Sequence, residues 1–374
     1  MKILCVIDSL GSGGAQRQMV NLACGLQARG HDVEMFVYFP QYTFFRREIE
    51  LAQIPIHEVK KGNRFSLKVI FRLAALFRKN KYDGVVSFLS VPNLSAELAK
   101  LLVLSRTPLI VGERSSSVGE SNRFKSRLLR WPHYLASAVV ANSRSQAEWL
   151  RTNSWLHSKT HFVYNGYTIS RGSSPHEPVN RIRFRYLVVG RIQKDKNGIR
   201  LIEALTLYAK KHRNSPVVTW AGRQETDRES LQLRKEMDDR LKNQSEVGEK
   251  WEWLGERNDI PALIRKCDAL IHVSLYEGLP NVICEAFIGG CPVIASNVCD
   301  HPFLIEEPAR GFLCDPHSPE SICEAIERFE SQSDEQRTQQ GTNARKFAEE
   351  YLSIEKMVSA YESLIMRLRD KANR

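Results

Sequence analysis

The feature that most constrains this chain is an alternation, sustained along most of its 374 residues, of short apolar runs with segments of helical period. Runs at 2–7, 32–38, 84–88, 108–112 and 138–141 form one series. Runs at 184–190, 217–221, 251–255, 269–273 and 292–295 form a second. Helical patterns lie between them, such as 16–29, closed by Gly30, and 199–212. A parallel strand pair needs a crossover, and a crossover helix lies over the sheet, so this alternation implies parallel sheets covered on both faces. Residues 165–181 separate the two series. They hold Gly166, Ser170, Gly172, Ser173, Ser174, Pro175 and Pro178 with almost no apolar periodicity, which is linker composition. The expected fold is therefore α/β with two doubly wound domains: 1–165, a linker 166–181, then 182–353. The last 50 or so residues read as helices, and 354–374 is expected to pack back on the first domain. Ligands of such sheets bind beyond the carboxyl ends of the strands, so two domains facing each other would make a cleft.

The second series carries the most informative local segment, Ser274-Leu-Tyr-Glu277-Gly278-Leu279-Pro280-Asn281-Val282-Ile283-Cys284-Glu285. It follows the apolar run 269–273. Gly278 allows a tight turn, and Pro280 suits the first turn of a helix. The amides of Asn281, Val282 and Ile283 then lack partners within the helix and favour an anion such as phosphate. Glu277 lies in the turn and Glu285 in the second helical turn. Anion-binding amides between two carboxylates suit a ligand with phosphates in its middle and hydroxyls at both ends, as in a nucleotide-sugar.

About 85 residues upstream, Gly190-Arg191 ends a strand and Lys196 precedes a helix beginning near Asn197. Two cations at that edge can neutralise a diphosphate and the charge left on it when a bond to sugar breaks. Alone they would read as loop charges. Together with the 277–285 segment they resemble glycosyltransferase family 4, retaining nucleotide-sugar-dependent enzymes of the GT-B fold with two Rossmann-like domains. Asn165-Gly166, Gly222, Leu254-Gly255 and Gly290-Cys291-Pro292 extend the resemblance along most of the chain. It implies that Arg191 and Lys196 bind the donor diphosphate, Glu277 holds the transferred sugar and Glu285 the ribose. Gly190, Gly278, Leu279, Pro280 and the amides near Asn281 and Val282 belong to the donor site. The base is expected near Leu254 and Gly222.

In the first domain, Gly11, Gly13 and Gly14 join a strand to a helix. A dinucleotide fingerprint needs glycine where Gln16 stands, which weakens a nicotinamide reading. The resemblance instead places Gly13-Gly14 over the donor phosphate. Glu113 and Arg114 follow a strand end and are expected on the acceptor or sugar side. The resemblance is closest there to bacterial surface-polysaccharide enzymes with Glu-Arg at this point; many other members carry a histidine near it.

The net charge is +11, which favours phosphates, nucleic acid or an anionic membrane face. Arg123, Lys125, Arg127 and Arg130, interleaved with Phe124, Leu128, Leu129 and Trp131, read as an amphipathic basic helix for a bilayer surface, with Lys68, Phe71 and Arg72 extending the patch. No apolar run approaches the ~20 residues of a spanning helix, and the first residues are too short and too soon acidic for a signal core. No RNA module is recognised, so no nucleic acid is expected. The eight cysteines form no Cys-x-x-Cys pair and read as small buried hydrophobes in a reducing compartment. Metal-ligand spacings are absent, so no metal or other cofactor is expected.

The expectation is a retaining transferase that moves a sugar from a nucleotide-sugar, UDP-linked, to a saccharide or polyprenyl-diphosphate-linked acceptor. It would work in the cytoplasm, peripherally at the inner face of an anionic membrane. A sugar-nucleotide epimerase and a non-catalytic nucleotide-sugar-binding protein are the competing readings.

Overall fold

The computed structural model describes residues 1–60, 67–114, 130–169 and 183–372. They divide into two compact units: Met1–Thr168 with Tyr351–Arg374, and Ile169–Glu350.

The first unit holds a wholly parallel sheet. Its strands are β1 (Lys2–Val6), β2 (Asp32–Val37), β3 (Ile56–Glu58), β4 (Gly84–Phe88), β5 (Leu109–Glu113), β6 (Ala138–Ala141) and β7 (Thr160–Phe162), in the order β3-β2-β1-β4-β5-β6-β7. β4, β5 and β6 are buried at every position. That is why they read as continuous apolar runs: helices cover both faces, so no position alternates to solvent. The helix Ile354–Ala372 belongs to this unit, with Met357, Val358, Tyr361, Leu364 and Ile365 in the same core cluster as Ile3, Cys5 and Met19. It lies so close to the helix Gly14–Ala28 that a Cβ on Gly25 would stand 2.4 Å from a methyl of Val358.

The second unit holds β8 (Arg185–Val189), β9 (Val217–Ala221), β10 (Trp251–Gly255), β11 (Ala269–His272), β12 (Val293–Ser296) and β13 (Gly311–Cys314), again parallel, in the order β10-β9-β8-β11-β12-β13. The order reverses between β8 and β11. The chain leaves these neighbours in opposite directions along the sheet, which opens a crevice at their carboxyl ends. Gly190-Arg191 leaves β8 there, and Ser274 to Glu277 leaves β11.

β3 and β7, three residues each at the two edges of the first sheet, and β13, at an edge of the second, fall outside the expected runs. All eight cysteines are free, six of them buried. Among the described residues, no helix is long and apolar enough to cross a membrane.

Candidate active site

The crevice beyond β8 and β11 brings Lys196 and Glu277 together. Lys196 Nζ donates to Glu277 Oε1 and lies 3.4 Å from Asp195. The lysine's stem lies against Gly190, where an added Cβ would stand 3.3 Å from it. A second donor reaches the same carboxylate oxygen: His272 Nε2, at 3.0 Å from the end of β11. Burial alone would raise the Glu277 carboxyl, but the His272 hydrogen bond, the histidine's charge and Lys196 together hold it well below the usual carboxylate range. Oε2 of Glu277 makes no hydrogen bond among the described residues.

Glu285, eight positions on, is in the opposite condition. It lies half-buried in the helix Asn281–Ile288 with no ion pair or hydrogen bond among the described residues, and burial pushes its carboxyl up to about 7. Such a carboxyl has hydrogen-bonding capacity that no described residue takes up. Pro280 is the N-cap of this helix rather than its first residue. The Ile283 amide is not open as expected: it bonds to the Pro280 carbonyl at 3.1 Å, a tight first turn that leaves Val282 as the helix-end donor not used within it. Leu279 is buried beneath this turn.

Arg191 does not meet Lys196. β8 lies between β9 and β11, and the two cations turn to opposite sides of it. Arg191 is exposed and lies 3.4 Å from Glu225, in the segment after β9, where Arg223 also bonds to Glu225 at 2.8 Å. The expected convergence of two cations is therefore not seen: Glu225 and Glu277 each hold one. Gly222 has a packing reason of its own: a Cβ there would stand 1.8 Å from the Gly190 carbonyl oxygen. Its N–H donates to Gly255 at 2.8 Å, beside half-buried Leu254. Gly278 lies in the turn between Glu277 and the helix.

In the first unit, Gly13 is the N-cap of the helix that starts at Gly14, and Gln16 donates to Asp8 at 2.8 Å. Glu113 and Arg114 are not the open strand-end pair expected. Glu113 Oε1 accepts from His133 Nε2 at 2.8 Å and Oε2 from Arg130 at 3.3 Å, so both oxygens are occupied. His133 Nδ1 lies 2.6 Å from buried Glu97. Burial would lower the histidine, but hydrogen bonds to Glu113 and Glu97 and their charges lift it to about 9. Arg114 lies over the Phe88 ring, 3.6 Å from its centroid, and donates to Asn165 at 2.7 Å and to the Tyr361 hydroxyl at 3.1 Å. It ties the C-terminal helix to its own unit. Arg130 is likewise corrected: it is 8% exposed and paired with Glu113, so it is no part of a basic surface. Arg123, Lys125 and Arg127 lie outside the described residues.

His272 is the residue that sequence reasoning missed. It closes an apolar run and read there as one more strand position. The only signal was a polar side chain at the carboxyl end of a strand pointing at the crevice.

The chain matches the family model of Glycosyltransferase Family 4 over residues 12–171 and that of Glycosyl transferases group 1 over 176–347. It is 28% identical, over 84% of this chain and 85% of the relative, to a GalNAc-alpha-(1->4)-GalNAc-alpha-(1->3)-diNAcBac-PP-undecaprenol alpha-1,4-N-acetyl-D-galactosaminyltransferase of Campylobacter jejuni. A second Campylobacter jejuni relative is 27% identical over 79% of this chain and 80% of its own length. It is an N-acetylgalactosamine-N,N'-diacetylbacillosaminyl-diphospho-undecaprenol 4-alpha-N-acetylgalactosaminyltransferase. The fold is that of the solved structure of Anabaena Alr3699/HepE in complex with UDP, with TM-score 0.81 and 19% identity over 98% of this chain and 100% of the other. Both units are thus accounted for, and the chain is an enzyme of glycosyltransferase family 4 with the GT-B fold.

Proposed function

We propose that this enzyme transfers a sugar, with retention at the anomeric carbon, from a UDP-sugar to a polyprenyl-diphosphate-linked saccharide in bacterial surface-polysaccharide synthesis. The observation that carries the reading is the crevice beyond β8 and β11. It holds a lysine and a carboxylate with one unengaged oxygen; eight residues on, in the helix that follows, stands a carboxyl with no partner among the described residues. Glu277 Oε2 would take sugar hydroxyls, Glu285 the ribose, and Lys196 with the Val282 amide the diphosphate. Arg191 joins them by leaving Glu225, an exposed pairing of low strength. The names of the two Campylobacter relatives, both acting on undecaprenyl-diphosphate saccharides, support the acceptor class. The UDP in the HepE structure supports the nucleotide.

In the reaction, the bond from the anomeric carbon to the β-phosphate oxygen breaks and a bond to the acceptor oxygen forms on the same face. The acceptor proton passes to the departing phosphate, so no protein base is required. Cationic side chains and the helix end stabilise the leaving group, and the reading calls for no resident metal. The acceptor's lipid implies peripheral contact with the inner face of an anionic membrane. The helix Leu67–Lys79 supports this, exposing Leu67 and Phe71 alongside Lys68 and Arg72.

The test incubates the purified chain with UDP-galactose, UDP-N-acetylgalactosamine or UDP-glucose and an undecaprenyl-diphosphate-linked saccharide, with and without EDTA. The expected result is acceptor-dependent UDP release, insensitive to EDTA, with an α-linked product from an α-linked donor. Binding of a UDP-sugar without any UDP release would contradict transfer. An inverted product would contradict retention. Failure to float with anionic liposomes would contradict the membrane contact.

A further inference from the structure

His272 is 4% exposed and ends β11, five residues before Glu277. A carboxylate only accepts, so the nitrogen 3.0 Å from Glu277 Oε1 carries the hydrogen and donates it. Ser274 Oγ lies 3.3 Å from the same nitrogen. The ring is also walled in. His301 meets it edge to face, with ring centroids 5.4 Å apart. His301 Nδ1 lies 2.7 Å from the Ser296 carbonyl oxygen, which fixes the hydrogen on that nitrogen. Its Nε2 is buried without a hydrogen-bond partner among the described residues. His272 is thus a rigid donor on a strand, set against a fixed neutral neighbour.

Lys196, the other donor to Glu277 Oε1, is a different kind of group. It is a cation on a flexible four-carbon stem, at the end of the short 3-10 turn Lys194–Lys196. A diphosphate entering the crevice presents more negative charge than one carboxylate and draws the ammonium away. Glu277, with its side chain only 16% exposed, would then be free to turn away from the sugar unless a second donor stayed behind. We infer that His272 is a positioning residue: it keeps Glu277 fixed by Oε1, with Oε2 turned to the sugar hydroxyls, while Lys196 moves from Glu277 to the departing diphosphate. This rests on the reading of Glu277 as the sugar-holding group. It divides the two donors into a static one that serves the sugar and a mobile one that serves the leaving group.

The division predicts a selective defect. UDP carries no transferred sugar, so it is blind to how Glu277 is oriented, whereas a UDP-sugar is not. Calorimetric titration of UDP and of the UDP-sugar that wild type binds most tightly among the galactose, N-acetylgalactosamine and glucose forms is carried out on wild type, His272→Ala, His272→Gln and Glu277→Ala. In His272→Ala, UDP affinity stays within about twofold, while UDP-sugar affinity or turnover falls about ten- to hundredfold, the range for a lost hydrogen bond to a charged group. His272→Gln, whose amide N–H reaches near the Nε2 position, restores most of the loss. If His272→Ala unfolds, His272→Met supplies the same buried bulk without the donor. Equal weakening of UDP and UDP-sugar, or equal behaviour of the alanine (or methionine) and glutamine variants, would overturn the inference and leave His272 a packing residue. A Glu277→Ala protein that binds UDP-sugar like wild type is a distinct result, for it would remove the reading of Glu277 itself.

Discussion

Each unit carries a glutamate at the carboxyl end of a parallel strand, gripped by a histidine and a cation, and the two grips differ in one respect. Glu113, at the end of β5, has one oxygen on His133 and the other on Arg130. Glu277, after β11, has His272 and Lys196 on the same oxygen and leaves the second unengaged. The first arrangement is closed. Glu97 lies behind the histidine, and both oxygens of Glu113 are engaged within the fold. The second is open, with charge already stabilised and one acceptor left over. Glu285 goes further, with no partner among the described residues. A carboxylate at a strand end is therefore not in itself a functional signal; an unengaged oxygen in a crevice is.

That contrast can be broken most sharply by truncating the two glutamates. Glu277→Ala should lower turnover by at least ~100-fold, the scale of losing one preorganised electrostatic contact, with a far smaller effect on Tm. Steady-state UDP release and thermal unfolding on the same sample decide it, and parallel losses in both would make Glu277 another closed glutamate. Glu113→Ala should do the reverse. Removing one member of this buried charge cluster leaves His133 with Glu97 as its carboxylate and takes the Glu113 contact from Arg130, which costs about 3–5 kcal/mol of stability. Activity per folded molecule should stay near wild type when referred to active-site titre. A stable Glu113→Ala protein with lost transfer would return this residue to the acceptor side.

The pH dependence of stability sharpens the comparison further. Glu285 is raised to about 7 by burial. Between its ordinary value, about 4.3, and 7, the folded state binds a proton that the unfolded chain does not. Its contribution to stability therefore falls as pH climbs through that window. Glu277 is depressed, so its contribution is present above the ordinary carboxylate value and is lost only as pH falls into strong acid. Glu285→Gln should accordingly raise Tm by roughly 2–4 °C at pH 8 and leave it nearly unchanged at pH 4. Scanning calorimetry of both proteins across that range reads the effect, and a Tm gain that is the same at both ends would mean that no buried charge was removed.

The fold was legible because buried parallel strands leave continuous apolar runs separated by helical periods, as at 84–88 or 269–272. β3 and β7 were not, being three-residue pieces at the two edges of the first sheet. In the crevice, Glu277 and Glu285 were visible because a turn glycine and Pro280 punctuate the strand-to-helix passage around them. The inward turn of Glu113 was invisible, since its partners His133 and Arg130 lie 20 and 17 residues away in sequence and only packing brings them back. The same holds for Arg191 and Glu225, 34 residues apart. Spacing names the side chains that leave a strand end. It does not say which neighbour each one turns to.

The central claim is that Lys196, Glu285 and the start of the helix Asn281–Ile288 form one diphosphate-and-ribose site. A crystal structure of the chain with UDP bound tests it most directly. The account predicts Lys196 Nζ turned from Glu277 to a phosphate oxygen, Arg191 released from Glu225 toward the same diphosphate, and the ribose hydroxyls on Glu285. UDP bound elsewhere, or Lys196 still on Glu277 and Glu285 still without a partner when UDP is present, would contradict it.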